Sequence, residues 1–411
     1  MRMLWLKTEL LHPVDKGGKI RTFHMLKELK KSHHITYLTL DDGTAGRDAE
    51  ERASEYCHEL LRVPHQTAPK LSKAFYKEVV ANIFSRLPYA VEKYRSEPFS
   101  RRLADQVSSG RVDLIVCDFL FPSINLPAVL RCPTVLFQHN VEAQIWRRHA
   151  EVQNNPLSRW YFHEQWRRMR AYERTACARF DAVVAVSPED REMLRSEYGV
   201  TQAFDIPTGV DALYYAPNPL IQSEPLSLVF TGSMDWLPND DAMWYFVQEI
   251  LPLVRAVLPD VRLTIVGRNP FPRLQELAQK DPQIVVTGRV DDVRPYINRA
   301  AAYIIPLRIG GGTRLKVFEA MAMEKAIVST SIGVEGLRVT DGEDVLVADS
   351  PRAFAQAVLR ALLEKDFAQT LARQAGDKVR REFGWQSVAE SFSRICQRTV
   401  TRADGRLVVA A

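Results

Sequence analysis

A turn of three glycines followed by a basic helix start is the stretch of this 411-residue sequence that first suggests chemistry. Gly312 and Thr313 end the turn, and Leu315 begins an apolar pattern with helical spacing. Arg314 and Lys316 fall in the first helical turn, where the helix dipole makes a cation unfavourable by about 0.3–1 kcal/mol. Two cations there suggest a bound phosphate, held by backbone N–H groups, the helix start and both side chains.

An acidic residue on the same predicted helix extends this pattern from a phosphate to a nucleotide. Glu319 lies three residues after Lys316 and therefore on the same helix face. Its carboxylate could accept hydrogen bonds from a ribose, and a phosphate next to a ribose means a nucleotide. A solvated helix start with incidental charges is the alternative that these residues alone leave open.

Small or polar residues also follow two predicted strands in the first half of the chain. Gly17 and Gly18 open a helix after the strand at residues 3–6, and His139 follows the strand at residues 134–137. In doubly wound α/β folds, ligands bind at the carboxyl ends of the strands. The two glycines therefore belong either to a ligand crevice or to a plain tight turn. His139 is either a substrate contact or a hydrogen-bonded structural histidine.

The alternation of strand and helix occurs twice, on either side of a proline-rich linker at residues 216–225. This pattern predicts an α/β fold of two Rossmann-like domains that face one cleft. We expect a first domain at residues 1–213, a second at 214–384, and a C-terminal helix and tail at 385–411.

Composition narrows the class of protein. Hydrophobic residues make up 46% and charged residues 26% of the chain, and the net charge of +5 is too mild to indicate nucleic acid by itself. The five cysteines are scattered and contain no CxxC pair, which is typical of a reducing compartment. We see no signal peptide and no apolar run of membrane-spanning length. The sequence therefore predicts a cytoplasmic protein, with the inner face of the cell membrane as an additional location.

Two segments of the first half are rich in basic residues. Residues 70–111 are predicted to be helical and basic, and residues 145–180 combine many arginines with tryptophan, tyrosine and phenylalanine. Basic, aromatic-rich helices suit an anionic membrane surface, and arginines with aromatics also suit single-stranded nucleic acid. A solvated helix with its aromatic side chains packed inward is the third interpretation.

Several motifs together resemble the retaining GT-B glycosyltransferases of family four. The matching stretches lie at residues 14–18, 139–140, 208–211, 230–232, 263–267, 287–293 and 319–330. The resemblance covers almost the whole chain and is greatest to bacterial sugar transferases of exopolysaccharide assembly. It implies a GT-B fold in which the helix after Trp385 crosses back to the first domain.

The resemblance also implies roles for individual residues. The family's helix glutamate, which Glu319 matches, binds the nucleotide ribose, and Arg314 and Lys316 would contact the diphosphate. The loop containing Arg289 and Val290 would approach the base. The remaining residues implied in donor binding or in facing the donor sugar are Gly17, Gly18, His139, Gly232, Gly312, Thr313 and Leu315.

The chain departs from the family pattern at three places. Gly311 stands eight residues before Glu319, where the family has a first glutamate that binds hydroxyls of the donor sugar. The arginine that usually follows the first strand of the second domain is replaced near Met234 and Asp235, which leaves more of the phosphate contact to Arg314 and Lys316. Thr208 stands where the family has an asparagine.

These features predict a retaining glycosyltransferase that moves a sugar from a nucleoside-diphosphate donor to a glycan or lipid-linked acceptor in polysaccharide assembly. The predicted partners are the nucleotide sugar, this acceptor and an anionic membrane surface, without nucleic acid. No cofactor or metal is expected, since no Asp-x-Asp pair is present; the pairs at 240–241 and 291–292 are predicted to cap helices. A sugar-nucleotide epimerase of the same fold and a non-catalytic basic binding protein are the alternatives.

Overall fold

Two parallel β-sheets organise the chain, each within its own structural unit. The computed structural model describes residues 1–409 except 15–16, 47, 70–71, 130–131, 152–154 and 310–314. Met1–Pro207 and Val388–Ala411 form the first unit, and Thr208–Ser387 form the second. Residues 208–213 thus group with the second unit, whereas the sequence pattern places them with the first.

The first unit contains seven parallel strands in the order β3-β2-β1-β4-β5-β6-β7. The strands are β1 (Arg2–Lys7), β2 (His34–Asp41), β3 (Glu59–Pro64), β4 (Leu114–Asp118), β5 (Thr134–Phe137), β6 (Ala182–Ala185) and β7 (Ala203–Asp205). The helices are α1 (Gly17–Leu29), α2 (Lys73–Asn82), α3 (Tyr89–Glu92), α4 (Glu97–Ser108), α5 (Glu142–Glu151), α6 (Pro156–Cys177) and α7 (Pro188–Ser196).

The central strands of this sheet are short apolar runs because helices cover both of its faces. Every residue of β4, β5 and β6 is buried, as expected for a parallel sheet without a solvated face. The strand order reverses between β1 and β4, so this pair forms the topological switch point at which doubly wound sheets bind ligands. Lys7 ends β1 and Asp118 ends β4, which places two charged residues at that point.

The basic segment predicted to be helical at residues 70–111 forms three separate helices, α2, α3 and α4. Ser72 caps α2 through its side chain, and Ser96 caps α4 in the same way. Pro88 precedes α3 in an extended conformation. Each of these residues favours a helix start over a helix interior because its backbone is extended. The serine side chains accept a hydrogen bond from a backbone N–H group, and proline has no backbone N–H to donate.

The second unit contains six parallel strands in the order β10-β9-β8-β11-β12-β13. The strands are β8 (Ser227–Thr231), β9 (Arg262–Val266), β10 (Ile284–Val286), β11 (Ala302–Ile305), β12 (Ala326–Ser329) and β13 (Leu346–Val347). The helices are α8 (Leu237–Tyr245), α9 (Leu251–Arg255), α10 (Pro272–Lys280), α11 (Arg294–Arg299), α12 (Leu315–Ala322), α13 (Pro351–Leu363) and α14 (Lys365–Glu382). The strand order reverses between β8 and β11, so the predicted glycine turn and α12 follow a strand of this switch point.

The last helix, α15 (Trp385–Val409), begins in the second unit and packs on the sheet of the first. Phe392 is fully buried there, with its ring centroid 5.7 Å from that of Trp5 and 5.2 Å from that of Phe137. The expectation that the helix after Trp385 returns to the first domain is therefore confirmed, and its buried face explains why: the helix covers part of the apolar core below β1 and β5.

Candidate active site

The buried carboxylate of Asp118 collects four donors at the switch point of the first unit. Its Oδ2 accepts hydrogen bonds from Trp5 Nε1 at 2.9 Å and Thr22 Oγ1 at 2.7 Å, and lies 2.9 Å from Lys7 Nζ. Its Oδ1 lies 2.7 Å from His139 Nε2. Burial alone would raise the pKa of Asp118, but the charge of Lys7 and the hydrogen bonds from His139 and Thr22 hold it well below its usual range.

His139 is held rigidly against this carboxylate, and only 3% of it is exposed. Its ring stacks on Phe119 with centroids 3.9 Å apart. Burial lowers the pKa of His139 well below its usual value and outweighs the attraction of Asp118. Since Lys7 already balances the carboxylate, we take His139 to be neutral, with its proton on Nε2. Among the described residues nothing partners Nδ1, which leaves that nitrogen as a hydrogen-bond acceptor.

Phe119 connects this network to the glycines at the start of α1. Its φ of 70° lies in the left-handed region, which a bulky residue adopts only when its surroundings impose it. Its ring contacts the Lys7 ammonium, which lies 4.2 Å from the ring centroid. A Cβ on Gly18 would come within 2.9 Å of the same ring, whereas a Cβ on Gly17 would meet nothing within 4 Å. Gly18 is therefore required by packing, and Gly17 leaves open space at the helix start.

Two buried glutamates, Glu142 and Glu173, lie near the end of β5, where Glu173 also accepts a hydrogen bond from Gln138. Glu173 accepts hydrogen bonds from the backbone N–H groups of Glu142 and Ala143 and from the hydroxyl of Tyr198, and so caps the start of α5. Burial raises the pKa of Glu142, and the neighbouring Glu173 raises it further. A carboxyl group of raised pKa near the end of β5 is a second candidate for contact with a hydroxyl of a substrate.

In the second unit, Lys316 reaches back from α12 to the carboxyl end of β8. Its Nζ donates a hydrogen bond to Asn239 Oδ1 at 2.9 Å and lies 4.2 Å from the centroid of the Phe230 ring. A Cβ on Gly232 would lie 2.9 Å from Lys316 Nζ and 2.7 Å from Asn239 Nδ2. A side chain at Gly232 would therefore displace the ammonium group, so glycine here leaves room for the cation at the end of β8.

Glu319 lies on the same helix as Lys316 and is half-buried. Its carboxylate accepts a hydrogen bond from the hydroxyl of Tyr215. Burial raises the pKa of Glu319, and the hydrogen bond from Tyr215 and the charge of Lys316 partly oppose that rise. The structure thus brings together the cation and the acid that the sequence pairs, on one face of α12.

The other predicted donor-binding residues stand at separate places or outside the described residues. Arg289 is exposed, and Val290 is half-buried against the core. Both follow Gly288, whose φ of 70° lies in the left-handed region that favours glycine. Leu315 is the first residue of α12. Gly312, Thr313 and Arg314 lie outside the described residues, so their predicted contacts rest on the sequence alone.

The adjacent aspartates of the second unit are mostly paired with arginines. Asp240 forms an ion pair with Arg273 and Asp241 with Arg308, and no side chain caps the start of α8, so the prediction that residues 240–241 cap this helix was wrong. Asp292 does accept the backbone N–H of Arg294 at 2.9 Å, as a cap would. No three His, Cys, Asp or Glu side chains within the described part of the chain lie close enough together to hold a metal ion.

Comparison with known proteins places this geometry in a family. The model of "Glycosyltransferase Family 4" matches residues 16–212, and that of "Glycosyl transferases group 1" matches residues 225–364. The chain is a GT-B glycosyltransferase of family four. A Klebsiella pneumoniae protein named as an uncharacterized 44.6 kDa protein in the cps region is 19% identical over 369 residues, which are 87% of this chain and 90% of that protein.

Solved structures share the fold of this glycosyltransferase over nearly its whole length. A glycosyltransferase from Rickettsia africae is 16% identical with a TM-score of 0.64, over 97% of this chain and 98% of that one. Anabaena HepE in complex with UDP is 14% identical with a TM-score of 0.63, over 96% of this chain and 99% of that one. The predicted GT-B fold is therefore confirmed.

Sequence reasoning missed two polar residues of the second-unit site in this glycosyltransferase. Asn239 is buried and holds Lys316, while its Nδ2 donates to the Ser233 carbonyl at 2.9 Å. Arg268 follows β9 and donates from Nε to Ser233 Oγ at 2.7 Å, which brings a cation to the end of β8 where the family's arginine is absent. A polar side chain two residues after a buried strand was the available signal for Arg268, as it was for His139.

We predict that the stability of the glycosyltransferase depends on the neutral state of His139. A histidine whose folded pKa lies below the unfolded value of about 6.5 costs about 1.4 kcal/mol of stability per pH unit as pH falls below 6.5. Asp118 remains ionised in this window. His139→Gln should therefore lose less stability between pH 7.5 and 5.5 than wild type does, as measured by urea unfolding at both pH values.

Burial also lowers the pKa values of His12 and His33. A variant of His139 therefore keeps the part of the pH dependence that these two histidines cause. The matched control is His149→Gln, which removes an exposed imidazole and should keep the wild-type pH dependence. Equal pH dependence in His139→Gln and wild type would contradict the neutral, buried state of His139.

Proposed function

We propose that this glycosyltransferase moves a sugar from a nucleoside-diphosphate donor to a glycan or lipid-linked acceptor in polysaccharide assembly, with retention at the anomeric carbon and without a metal. The observation that carries the proposal is the position of Lys316. Its ammonium lies at the carboxyl end of β8, beside Gly232 and three residues before Glu319. A cation followed by an acid on one helix suits a diphosphate followed by a ribose.

The chemistry requires charge stabilisation more than it requires a nucleophile. The bond from the anomeric carbon to the diphosphate oxygen breaks, and the electron pair leaves with the diphosphate. The acceptor hydroxyl forms the new bond from the same face, and its proton passes to the departing phosphate oxygen. Lys316 and the predicted contact Arg314 stabilise the negative charge that develops on the diphosphate, which is the largest single contribution in many enzymes.

The remaining predicted residues bind and orient. We assign Glu319 to the ribose, since a carboxylate that accepts one hydrogen bond from Tyr215 has further lone pairs for hydroxyl groups. The loop at Arg289 and Val290 is assigned to the base. His139 is assigned to the donor sugar, because its Nδ1 can accept a hydrogen bond from a hydroxyl. The binding of UDP by Anabaena HepE supports a nucleoside diphosphate as the leaving group.

An exposed apolar surface on α2 and the turn after it supports an acceptor presented at an anionic membrane. Tyr76 and Val80 of α2, and Ile83 and Phe84 of the turn, are all exposed, with Phe84 at 89%. Nearby on the same helix Lys73 is exposed, as is Lys77. Apolar side chains next to lysines suit the boundary of a bilayer with anionic headgroups.

No helix within the described residues combines the length and the apolar character that crossing a bilayer requires.

We predict that one nucleotide sugar from a panel of UDP-, GDP- and ADP-sugars stabilises the protein, by about 2.7 kcal/mol at a hundred times its dissociation constant. Lys316→Ala should weaken that donor about tenfold or more, since a hydrogen bond to a charged group contributes about 1.5–3 kcal/mol. Thermal-shift titrations measure both effects. The control Lys280→Ala removes an exposed lysine of α10 and should leave the affinity unchanged. Full affinity in Lys316→Ala would refute the assigned donor site.

We also predict that vesicles of phosphatidylglycerol and phosphatidylcholine bind the protein at low salt. Val80→Ser with Phe84→Ser should reduce the bound fraction about tenfold, since fully burying one such side chain contributes about 1.5–3 kcal/mol. Flotation measures the bound fraction. Leu213→Ser is the matched control, because Leu213 is 91% exposed elsewhere on the chain. Absence of binding at low salt, or equal losses in both variants, would contradict membrane association through α2.

A further inference from the structure

A cavity of about 1040 Å³ lies in the first unit, between α5, α6 and α7. None of the residues predicted to bind the donor lines it. The lining on α6 consists of cations and aromatic rings at helical spacing: Arg159, Trp160, His163, Trp166 and Arg170. Cavities of this size lie at the upper end of the range for small-molecule sites.

The cavity exists because small side chains stand opposite large ones. Ala143 and Ala150 of α5 line the cavity together with the tryptophans of α6. Both alanines are buried, so the two positions add little side-chain volume, and the longer side chains of Gln144, Arg147 and Glu151 supply the rest of the α5 lining. A seam between two helices is normally filled by interdigitating apolar side chains. An unfilled seam lined by arginine and tryptophan is instead suited to a ligand.

The polar groups of the cavity carry an excess of positive charge. Arg147, Arg159 and Arg170 line it, against Glu151 and Glu197. Arg147 Nε donates to Glu151 at 2.8 Å, and Arg170 lies 3.5 Å from Glu197. All four of these paired side chains are about half exposed, so exchanging either pair for an anionic ligand costs little.

The aromatic rings supply flat faces for the rest of such a ligand. Trp160 is 56% exposed, and the rings of His163 and Trp166 lie edge to face with centroids 5.1 Å apart. The C–H groups of a pyranose carry partial positive charge and pack favourably on the electron-rich face of an indole. The chemistry therefore matches a sugar ring that bears an anion.

We propose that this cavity binds the acceptor through a pyranose unit next to an anionic group. The proposal rests on the proposed function, in which the acceptor is a glycan or a lipid-linked glycan. The anion has two sources with the same chemistry: an acidic sugar within the glycan, or the diphosphate that joins a glycan to its lipid.

Three probes separate these sources: tetragalacturonate, maltotetraose as its neutral counterpart, and geranyl diphosphate. Binding is measured by calorimetry, and quenching of tryptophan fluorescence reports contact with the cavity. We expect saturable binding of tetragalacturonate, at least tenfold weaker binding of maltotetraose, and loss of quenching in Trp160→Phe with Trp166→Phe. Binding of geranyl diphosphate alone would support the cavity with the lipid diphosphate as the source of the anion.

Two variants test the cavity itself. Arg159→Gln with Arg170→Gln removes two of the three arginines, and Ala150→Leu reduces the space while keeping every charge. Each should weaken the bound probe at least tenfold, while the control Lys280→Gln should not change its affinity. Absence of binding by both anionic probes, or unchanged affinity in both variants, would overturn the proposal.

The outcome is independent of the donor site. If no nucleotide sugar stabilises the protein but tetragalacturonate binds and both variants weaken it, the cavity stands and the proposed function fails. If a nucleotide sugar binds and neither anionic probe does, the proposed function stands and the cavity assignment fails.

Discussion

The hydrogen bonds and ion pairs of the ionised Asp118 carboxylate hold together the core of the first unit around it. It remains charged without contact to water because Lys7, Thr22, Trp5 and His139 surround it, and these residues come from β1, from α1 and from the loop after β5. Removing one partner of a buried pair typically costs about 3–5 kcal/mol. The network therefore fixes the ends of the central strands relative to α1, and it fixes the orientation of the His139 ring.

In the second unit, the ends of the central strands are held by close backbone packing, not by a buried charge. A Cβ on Gly267 would come within 1.7 Å of the Gly232 carbonyl oxygen, so the ends of β8 and β9 approach each other as closely as glycine allows. This approach leaves Lys316 and Arg268 beside residues 232–233 from two different elements. Both units therefore place charged side chains at the point where the strand order reverses, one around a buried carboxylate and the other beside Gly232.

The sequence was sufficient for the fold because parallel strands are unbroken apolar runs and the glycine turns stand directly after them. It also paired Lys316 with Glu319, since helical spacing alone puts them on one face. It failed where the determining contact is long-range. No local sequence pattern links Asp118 to Lys7 or Asn239 to Lys316. In the sequence Phe119 is an ordinary apolar residue, although its strained backbone places its ring against His139. At residues 70–111 the sequence predicted helix, and the structure divides it into three helices at serine and proline starts.

The central claim is glycosyl transfer from a nucleotide sugar with retention, and the configuration of the first product tests it most directly. The donor is an α-configured nucleotide sugar that stabilises the protein in the thermal-shift panel. Real-time proton NMR can then follow the anomeric signals of the sugar that is released by hydrolysis or transferred to an acceptor. The account predicts that the α-anomer appears first, and that Lys316→Ala slows its appearance. Initial appearance of the β-anomer would contradict the account.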